Sequence, residues 1–358
     1  MRKRIKGMSL FSSAGIGEYY LNRVGIDIVV ANELITKRGD LYRNIYPNHD
    51  MIIGDIRDSS VFLRIKEIAL NNRVDFMIAS PPCQGISVAG KNRNIHEMAM
   101  DERNYLINYV VKMIKEVKPK FVLIENVPLL LKLKLSVNNK LLTIEEILEE
   151  EFNQEYCIEY GILDTSDYGT AQSRKRAIIR LYHKDFSWPW PQKHEKKITV
   201  REVIGNLPSI ESGENSGIQW HYGRRHNARQ IRWMKHTPTG HSAFENEFEF
   251  PQKKDGTRVK GYESSYRRIK WDEPSPTITI RNDAISSQRN VHPGRLMKDG
   301  SYSDARVLSI LELMRLTGLP DNWPIPIDTP EILIRQVIGE CIPPLLIEEI
   351  VKEIVYEN

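Results

Sequence analysis

The first half of the chain alternates short apolar runs with amphipathic stretches. Apolar runs at residues 8–11, 28–32, 74–79, 121–124, 156–163 and 177–181, with a further strand end at 52–56, are too short for helices. They predict buried strands. Helical spacing appears between them. One helix is expected to begin near Glu18. Another is expected to open at Asp101 and Glu102, acids that suit a helix N-terminus. That second helix carries an apolar face of Leu106, Tyr109, Val110, Met113, Ile114 and Val117. Residues 141–152 read as an outer helix with one charged face. Strands alternating with helices predict an open α/β sheet, in which ligands bind beyond the carboxyl ends of the strands.

Polar residues just past those strands are therefore the candidates for chemistry. Ser12-Ser13-Ala14-Gly15-Ile16-Gly17 follows the first strand. Glycines there let backbone amides approach a ligand, and a helix N-terminus favours the ligand's carboxylate. The second strand ends at Glu33, at a spacing that suits ribose hydroxyls. A nicotinamide dinucleotide site shares these features, but it needs a small third residue where Tyr20 stands. A nucleoside without a diphosphate fits better. Asp55 ends the next strand and could equally cap a helix or turn. Ser80-Pro81-Pro82-Cys83-Gln84-Gly85-Ile86-Ser87 follows the strand at 74–79. Its prolines fix the backbone, so Cys83 sits on a stiff loop. A lone thiol is ordinarily core packing, and a metal site would need further Cys or His at ligand spacing. A rigid polar loop argues instead for a nucleophile. Residues 90–94 read as a polar lid. Glu125, at the end of the 121–124 strand, is a candidate acid, with a loop cap as the alternative.

Charge changes the picture further along. The chain of 358 residues has a formal net charge of +4 and a pI near 8.7. Composition shifts at Trp188-Pro189-Trp190-Pro191. Residues 191–270 carry sixteen basic and nine acidic residues, a net of +7 that exceeds the whole-chain value. The basicity is thus concentrated in one region, which permits a nucleic-acid partner without demanding one. Within it, His221-Tyr222-Gly223-Arg224-Arg225-His226-Asn227 supplies donors for bases and phosphates, or is a solvated loop. Gln172-Ser173-Arg174-Lys175-Arg176 enters the strand at 177–181, and alternation puts Arg174 and Arg176 on one face. Arg306 precedes an amphipathic helix with Leu308, Leu311 and Met314, and Gly318 ends it; a closing helix is expected from Gln336. Cys83, Cys157 and Cys341 are odd in number and far apart, which suggests no disulfide framework and fits a reducing cytoplasm. No signal peptide, membrane span or repeat is read from the sequence.

The Ser-Pro-Pro-Cys-Gln-Gly-Ile-Ser stretch resembles the nucleophile loop of the cytosine-5 DNA methyltransferases. Glu125-Asn126-Val127, Gln172-Ser173-Arg174-Lys175-Arg176 and the segments around Pro274-Ser275-Pro276-Thr277 and Arg306 follow in family order. The resemblance implies a doubly wound, Rossmann-like methyltransferase sheet with a small inserted target-recognition domain. It divides the chain into 1–187 (catalytic and cofactor-binding), 188–300 (DNA-reading) and 301–358 (return to the catalytic part). S-adenosylmethionine is the implied cofactor. Phe11 would pack on it, Ser13, Gly15 and Gly17 would form its loop, and Glu33 would hold the ribose. Asp55 would take the adenine amine, with Ile56 on the ring and Leu106 closing the pocket, and Pro81 would also touch the cofactor. Two positions depart from the family: Ser9 stands where many members have aspartate, and Glu340 where members usually have asparagine. Glu340 could still accept a hydrogen bond from the cofactor's ammonium group.

Catalysis would rest on Cys83, Glu125, Arg174 and Arg176. Gln84, Ser87, Arg224, Arg225 and Thr277 would touch double-stranded DNA. The resemblance further implies a monomeric cytoplasmic enzyme, of prokaryotic restriction-modification type, with a possible restriction endonuclease acting on the same site. A transfer-RNA cytosine methyltransferase and a non-catalytic DNA-binding relative remain alternatives at this point.

Overall fold

The computed structural model describes residues 4–82, 105–137 and 140–356. Two compact units emerge. The first comprises Met1–Asp164, Lys175–Gln192 and Ile347–Asn358, the second Thr165–Arg174 and Lys193–Leu346. The expected divisions at 188 and 301 differ from these: residues 301–346 group with the second unit.

The first unit is built on a seven-stranded sheet. Its strands are β1 (Ile5–Leu10), β2 (Ile26–Glu33), β3 (Asp50–Ile53), β4 (Phe76–Ala79), β5 (Phe121–Asn126), β8 (Tyr156–Asp164) and β9 (Lys175–His183), in the order β3-β2-β1-β4-β5-β9-β8. The first five are parallel, whereas β9 runs antiparallel between β5 and β8. Parallel strands are covered on both faces, which is why β4 and β5 are buried along their whole length. Helix Ile107–Val117 packs Val110, Met113, Ile114 and Val117 into this core, and helix Ser59–Asn71 adds Phe62 and Ile65. Strand order reverses between β1 and β4. That reversal opens a crevice at their carboxyl ends, the place where doubly wound sheets bind ligands.

Several elements depart from expectation. No α-helix follows the glycine turn. Residues 12–20 form turns, and a 3-10 helix, Leu21–Val24, ends at Gly25 with φ +89°. Glu18 points into the interior instead of opening a helix. Residues 141–143 belong to a hairpin of β6 (Lys134–Val137) and β7 (Lys140–Thr143). The following helix starts at Ile144, where Thr143 and Glu146 form a reciprocal cap. The closing helix is two helices, Glu331–Glu340 and Pro344–Val351. Pro343 and Pro344 lack the N–H groups that would continue the first. The expected helix start at Asp101 and the lid at 90–94 lie outside the described residues.

The second unit has a small core of Trp233, Met234, Val291, Ala305 and Val307 beside a buried ionic cluster. Arg306 donates to Asp304 at 2.9 Å and to both carboxylate oxygens of Glu312 at 2.8 and 2.9 Å. Ser309 caps helix Ile310–Thr317 with Glu312 as its partner, so the cluster also fixes a helix start. Burial opposes ionisation of Glu312, but Arg306 outweighs it and the carboxyl sits at about 2. Asp304 is likewise held well below the usual carboxylate range, against burial, by His292 and Arg306. Burial pushes His292 itself down to about 4. Arg268, fully buried, serves carbonyls: it donates to Met234, His292 and Ser303 at 2.8–3.0 Å.

Candidate active site

Three strand ends of the first unit converge on one carboxylate. Ala79 of β4 is paired with Ile124 of β5, so Ser80 and Glu125 emerge side by side. In the antiparallel β5–β9 ladder Glu125 lies opposite Ile178. Arg176, two residues from Ile178, therefore sits diagonally across on the same face as Glu125. Its Nε lies 2.7 Å from Glu125 Oε1, with both side chains largely buried. Ser80 Oγ donates to Oε2 at 2.5 Å. Each carboxylate oxygen thus has its own donor, which fixes the plane of the group.

The adjacent loop is tied to the same place. Asn126 Nδ2 donates to the Pro81 carbonyl at 2.9 Å, and Ser80 N donates to the Leu10 carbonyl at 3.2 Å. Pro81 is buried. The loop that leads to Cys83 is therefore anchored from β1 and β5. Cys83 itself, with Gln84 and Ser87, lies outside the described residues. Ser80 and Asn126 were not singled out from sequence. The signal was there, since each is adjacent to a motif residue at a strand end.

The glycine turn and the next two strand ends form the neighbouring feature. Phe11, half-buried, has φ +60° and packs against the core. Ser13 also has positive φ, at +51°, and donates its N–H to Glu33 Oε2 at 2.9 Å. Ile35 N takes the other oxygen of Glu33 at 2.8 Å. Gly15 has φ +71°, and a Cβ there would lie 2.4 Å from the ring of Tyr46. Glycine is required at that position both by conformation and by the close approach of the tyrosine. Asp55 is paired with Arg57 at 2.7 Å and accepts its N–H, which holds the carboxyl below the usual range. Ile56 is buried, and Leu106 is partly buried against the core. Asn32, not foreseen, joins the ends of β2 and β3 by donating to the Ile52 and Gly54 carbonyls at 2.9 and 3.1 Å.

These residues suit a nucleoside-bearing ligand. Two carboxylates stand at successive strand ends, where hydroxyls and an amine would find acceptors, and a half-buried ring lies beside them.

The remaining candidates belong to the second unit. Arg174 precedes β9 and does not share its alternation with Arg176. Its buried guanidinium donates to the carbonyls of Ile278, Gly339 and Glu340 at 2.6–3.1 Å. That geometry braces chain segments; it does not present a phosphate-binding fork. Thr277 is exposed and donates to the Ser173 carbonyl at 2.9 Å. Glu340 ends its helix with a half-buried side chain. In the loop at 221–227, His221 is fully buried and bonded to Ser309 and Pro208, so it is structural. Arg224 lies 3.3 Å from Glu331, whereas Arg225 is exposed. Part of the basic excess is likewise occupied inside the unit, by Arg268 on carbonyls and by Arg267 on Glu245.

Comparison with known proteins gives the family. Residues 5–356 match the C-5 cytosine-specific DNA methylase family. The chain is 69% identical to the type II methyltransferase M1.HgaI of Avibacterium volantium, over the full length of both. It is 28% identical to M1.HphI of Haemophilus parahaemolyticus, covering 98% of this chain and 87% of that one. Among solved structures, the Entamoeba histolytica methyltransferase EhMeth superposes with a TM-score of 0.64 at 15% identity, covering 98% of each chain. A prophage-encoded E. coli protein superposes with 0.70 at 18%, again over 98% of each. At those identities the likeness speaks for the fold. No described helix is long and apolar enough to cross a membrane. The match along nearly the whole sequence and the convergence of Ser80, Glu125 and Arg176 lead to one assignment: this chain belongs to the C-5 cytosine-specific DNA methylases.

Proposed function

We propose that the protein transfers a methyl group from S-adenosylmethionine to carbon 5 of a cytosine flipped out of duplex DNA, through a transient bond to Cys83. The observation that carries the reading is the Glu125 carboxylate held between Arg176 and Ser80, next to the anchored loop that leads to Cys83. Carbon 5 of an intact cytosine is a poor nucleophile. Attack of the Cys83 thiolate on ring carbon 6 forms a carbon–sulfur bond and moves electron density toward carbon 5 and the ring's nitrogen 3 side. Glu125, protonated in the complex, gives its proton to nitrogen 3 and takes it back when the thiolate leaves, and Arg176 holds the ring carbonyl. The cofactor, when bound, supplies an electrophilic methyl. Water then removes the proton from carbon 5, the carbon–sulfur bond breaks and the thiolate is restored. The target must leave the stack, at roughly a few kcal/mol. Arg174, braced on three carbonyls, serves by positioning.

The cofactor reading places Phe11, Ser13, Gly15, Glu33, Asp55 and Ile56 around the nucleoside. Glu33→Ala should weaken S-adenosylmethionine binding by about 1–3 kcal/mol, read by calorimetry. Duplex DNA lies on the basic second unit, with Arg225 offering the more available guanidinium. We further propose a monomeric cytoplasmic enzyme that protects a host site from a matching endonuclease, a reading supported by the 69% identical type II relative.

The deciding experiment uses DNA whose target cytosine carries fluorine at carbon 5. Fluorine cannot leave as a proton, so protein, DNA and cofactor should form an adduct that survives denaturing electrophoresis. Cys83→Ser should abolish it, since a hydroxyl is a far poorer nucleophile near neutral pH. Cys157→Ser and Cys341→Ser should not. An adduct that persists in Cys83→Ser removes the nucleophile assignment, and methyl transfer to transfer RNA but not to duplex DNA removes the substrate.

A further inference from the structure

Beneath the glycine turn of the first unit lies a buried carboxyl that no step above uses. Glu18 is 6% exposed, and among the described residues the groups that touch its carboxylate through a hydrogen bond are hydroxyls. Ser9 Oγ donates to Oε1, and Tyr42 OH donates to Oε2 at 2.6 Å. Two further groups feed the same centre. Ser12 Oγ lies 2.8 Å from Ser9 Oγ, and His49 Nδ1 lies 3.0 Å from the Tyr42 hydroxyl. While Glu18 is ionised and accepts from Tyr42, the His49 contact is made by a proton on Nδ1. Both sides of the network therefore converge on one residue.

The same residues shape the turn above. Tyr46, stacked on His49 and packed against Tyr42, donates to the Gly15 carbonyl at 2.7 Å. Gly15 N returns to the Ser12 carbonyl at 2.8 Å, and Ser12 N is held by the Asn32 carbonyl at 2.9 Å. Phe11, Ser13 and Gly15 all have positive φ within five residues. A backbone with two non-glycine residues in that region persists only when its surroundings over-determine it. The turn also lacks the helix that would ordinarily stiffen its exit. Glu18 stands where that helix was expected and replaces its backbone ladder with a side-chain anchor.

We propose that Glu18 is a positioning residue for the cofactor turn: by gathering Ser9, Ser12 and Tyr42 it fixes residues 11–15 in the shape that receives S-adenosylmethionine. The assignment rests on the reading of this turn as the cofactor site. It also accounts for the departure at Ser9. The carboxyl that many family members carry on that residue is here brought beside it from position 18. Burial raises the Glu18 carboxyl to about 7, against the pull of the Ser9, Tyr42 and Ser12 hydrogen bonds, so the network keeps an unfavourable group in place. Plain core packing has no need of it.

The test separates affinity from turnover. Glu18→Gln keeps size and one acceptor but presents an amide N–H₂ to one of the two converging hydroxyls. It should raise the KM and the calorimetric Kd for S-adenosylmethionine about tenfold, with kcat at saturating cofactor within about twofold and DNA affinity unchanged. Tyr42→Phe, which keeps the ring, should raise the Kd about threefold to fivefold. The double variant should be no weaker than Glu18→Gln alone, because both act through one network. Unchanged cofactor affinity in both folded single variants, additive effects in the double, or a fall in kcat with KM unaltered would each overturn the proposal. If Glu18→Gln does not fold, Tyr42→Phe with unchanged cofactor affinity has the same force. Failure of the underlying reading looks different: wild-type protein would not bind S-adenosylmethionine, or Glu33→Ala would bind it as the wild type does.

Discussion

Glu18 in the first unit and Glu312 in the second are both almost wholly buried, yet their environments drive them in opposite directions. Glu312 shares Arg306 with Asp304 and sits at about 2. Glu18 meets hydroxyls alone among the described residues and sits at about 7. Hydrogen bonds from neutral donors soften the cost of burying a carboxylate. A guanidinium reverses its sign. The second unit thus buries a fixed ion cluster that pins a loop and a helix start. The first buries a group close to neutrality beneath its glycine turn.

The largest break in this contrast comes from removing the shared cation. Arg306→Met removes the guanidinium that Asp304 and Glu312 share, leaving Arg295 at 3.3 Å to face Asp304, and should cost about 3–5 kcal/mol in urea denaturation. A change below 1 kcal/mol would mean that the cluster is solvated in solution. The next effect is a pH slope. Glu18 has its pKa raised on folding, so its contribution is fully present below the unfolded value near 4.5 and is lost as pH rises through about 7. Wild-type stability should decline relative to Glu18→Gln between pH 5 and pH 8, by roughly 2–3 kcal/mol. Glu312 and Asp304 act the other way: their contribution is present above about pH 4.5 and disappears on acidification toward about 2. Acid unfolding of Arg306→Met should therefore be shallower than that of the wild type. The Glu125–Arg176 pair is an intermediate case. Arg176→Ala should cost about 1–3 kcal/mol in stability and reduce methyl transfer by about 10²-fold or more at saturating cofactor. The smallest effect belongs to the exposed Arg201–Asp272 pair, 2.7 Å apart. Its removal should leave the denaturation midpoint in place.

The sheet was legible because each strand is an apolar run that ends in a polar residue, and those ends mark the site. Glu33, Asp55, Ser80 and Glu125 could all be placed at strand termini from the pattern of the chain. What the pattern could not show was partnership. Nothing local tells Arg174 from Arg176, two residues apart. One is bound to carbonyls more than a hundred residues away in sequence, and the other meets Glu125 across a ladder. His221 shows the same limit: beside two arginines it reads as a solvated donor, yet Ser309 and Pro208 enclose it. Glu18 was missed because an acid after a glycine turn reads as a helix start, and only the tyrosines at 42 and 46 reveal that it turns inward. The helix break at Cys341–Pro343 was not read, although the proline pair at 343 and 344 carries it, and the preceding helix begins at Glu331, ahead of the expected Gln336.

The division of the sequence between the two units bears on how such enzymes can be recombined. The polypeptide passes from one unit to the other four times, at 164/165, 174/175, 192/193 and 346/347. The ten residues between β8 and β9 belong to the second unit, and within it Arg174 grips carbonyls at 278, 339 and 340. A graft of residues 193–346 alone from a relative would pair a resident arginine with foreign carbonyls. A graft that carries 165–174 along transfers donor and acceptors together, while the Arg176 beside Glu125 stays with the host. Chimaeras that exchange sequence preference should therefore be recovered with two-segment exchanges far more often than with one.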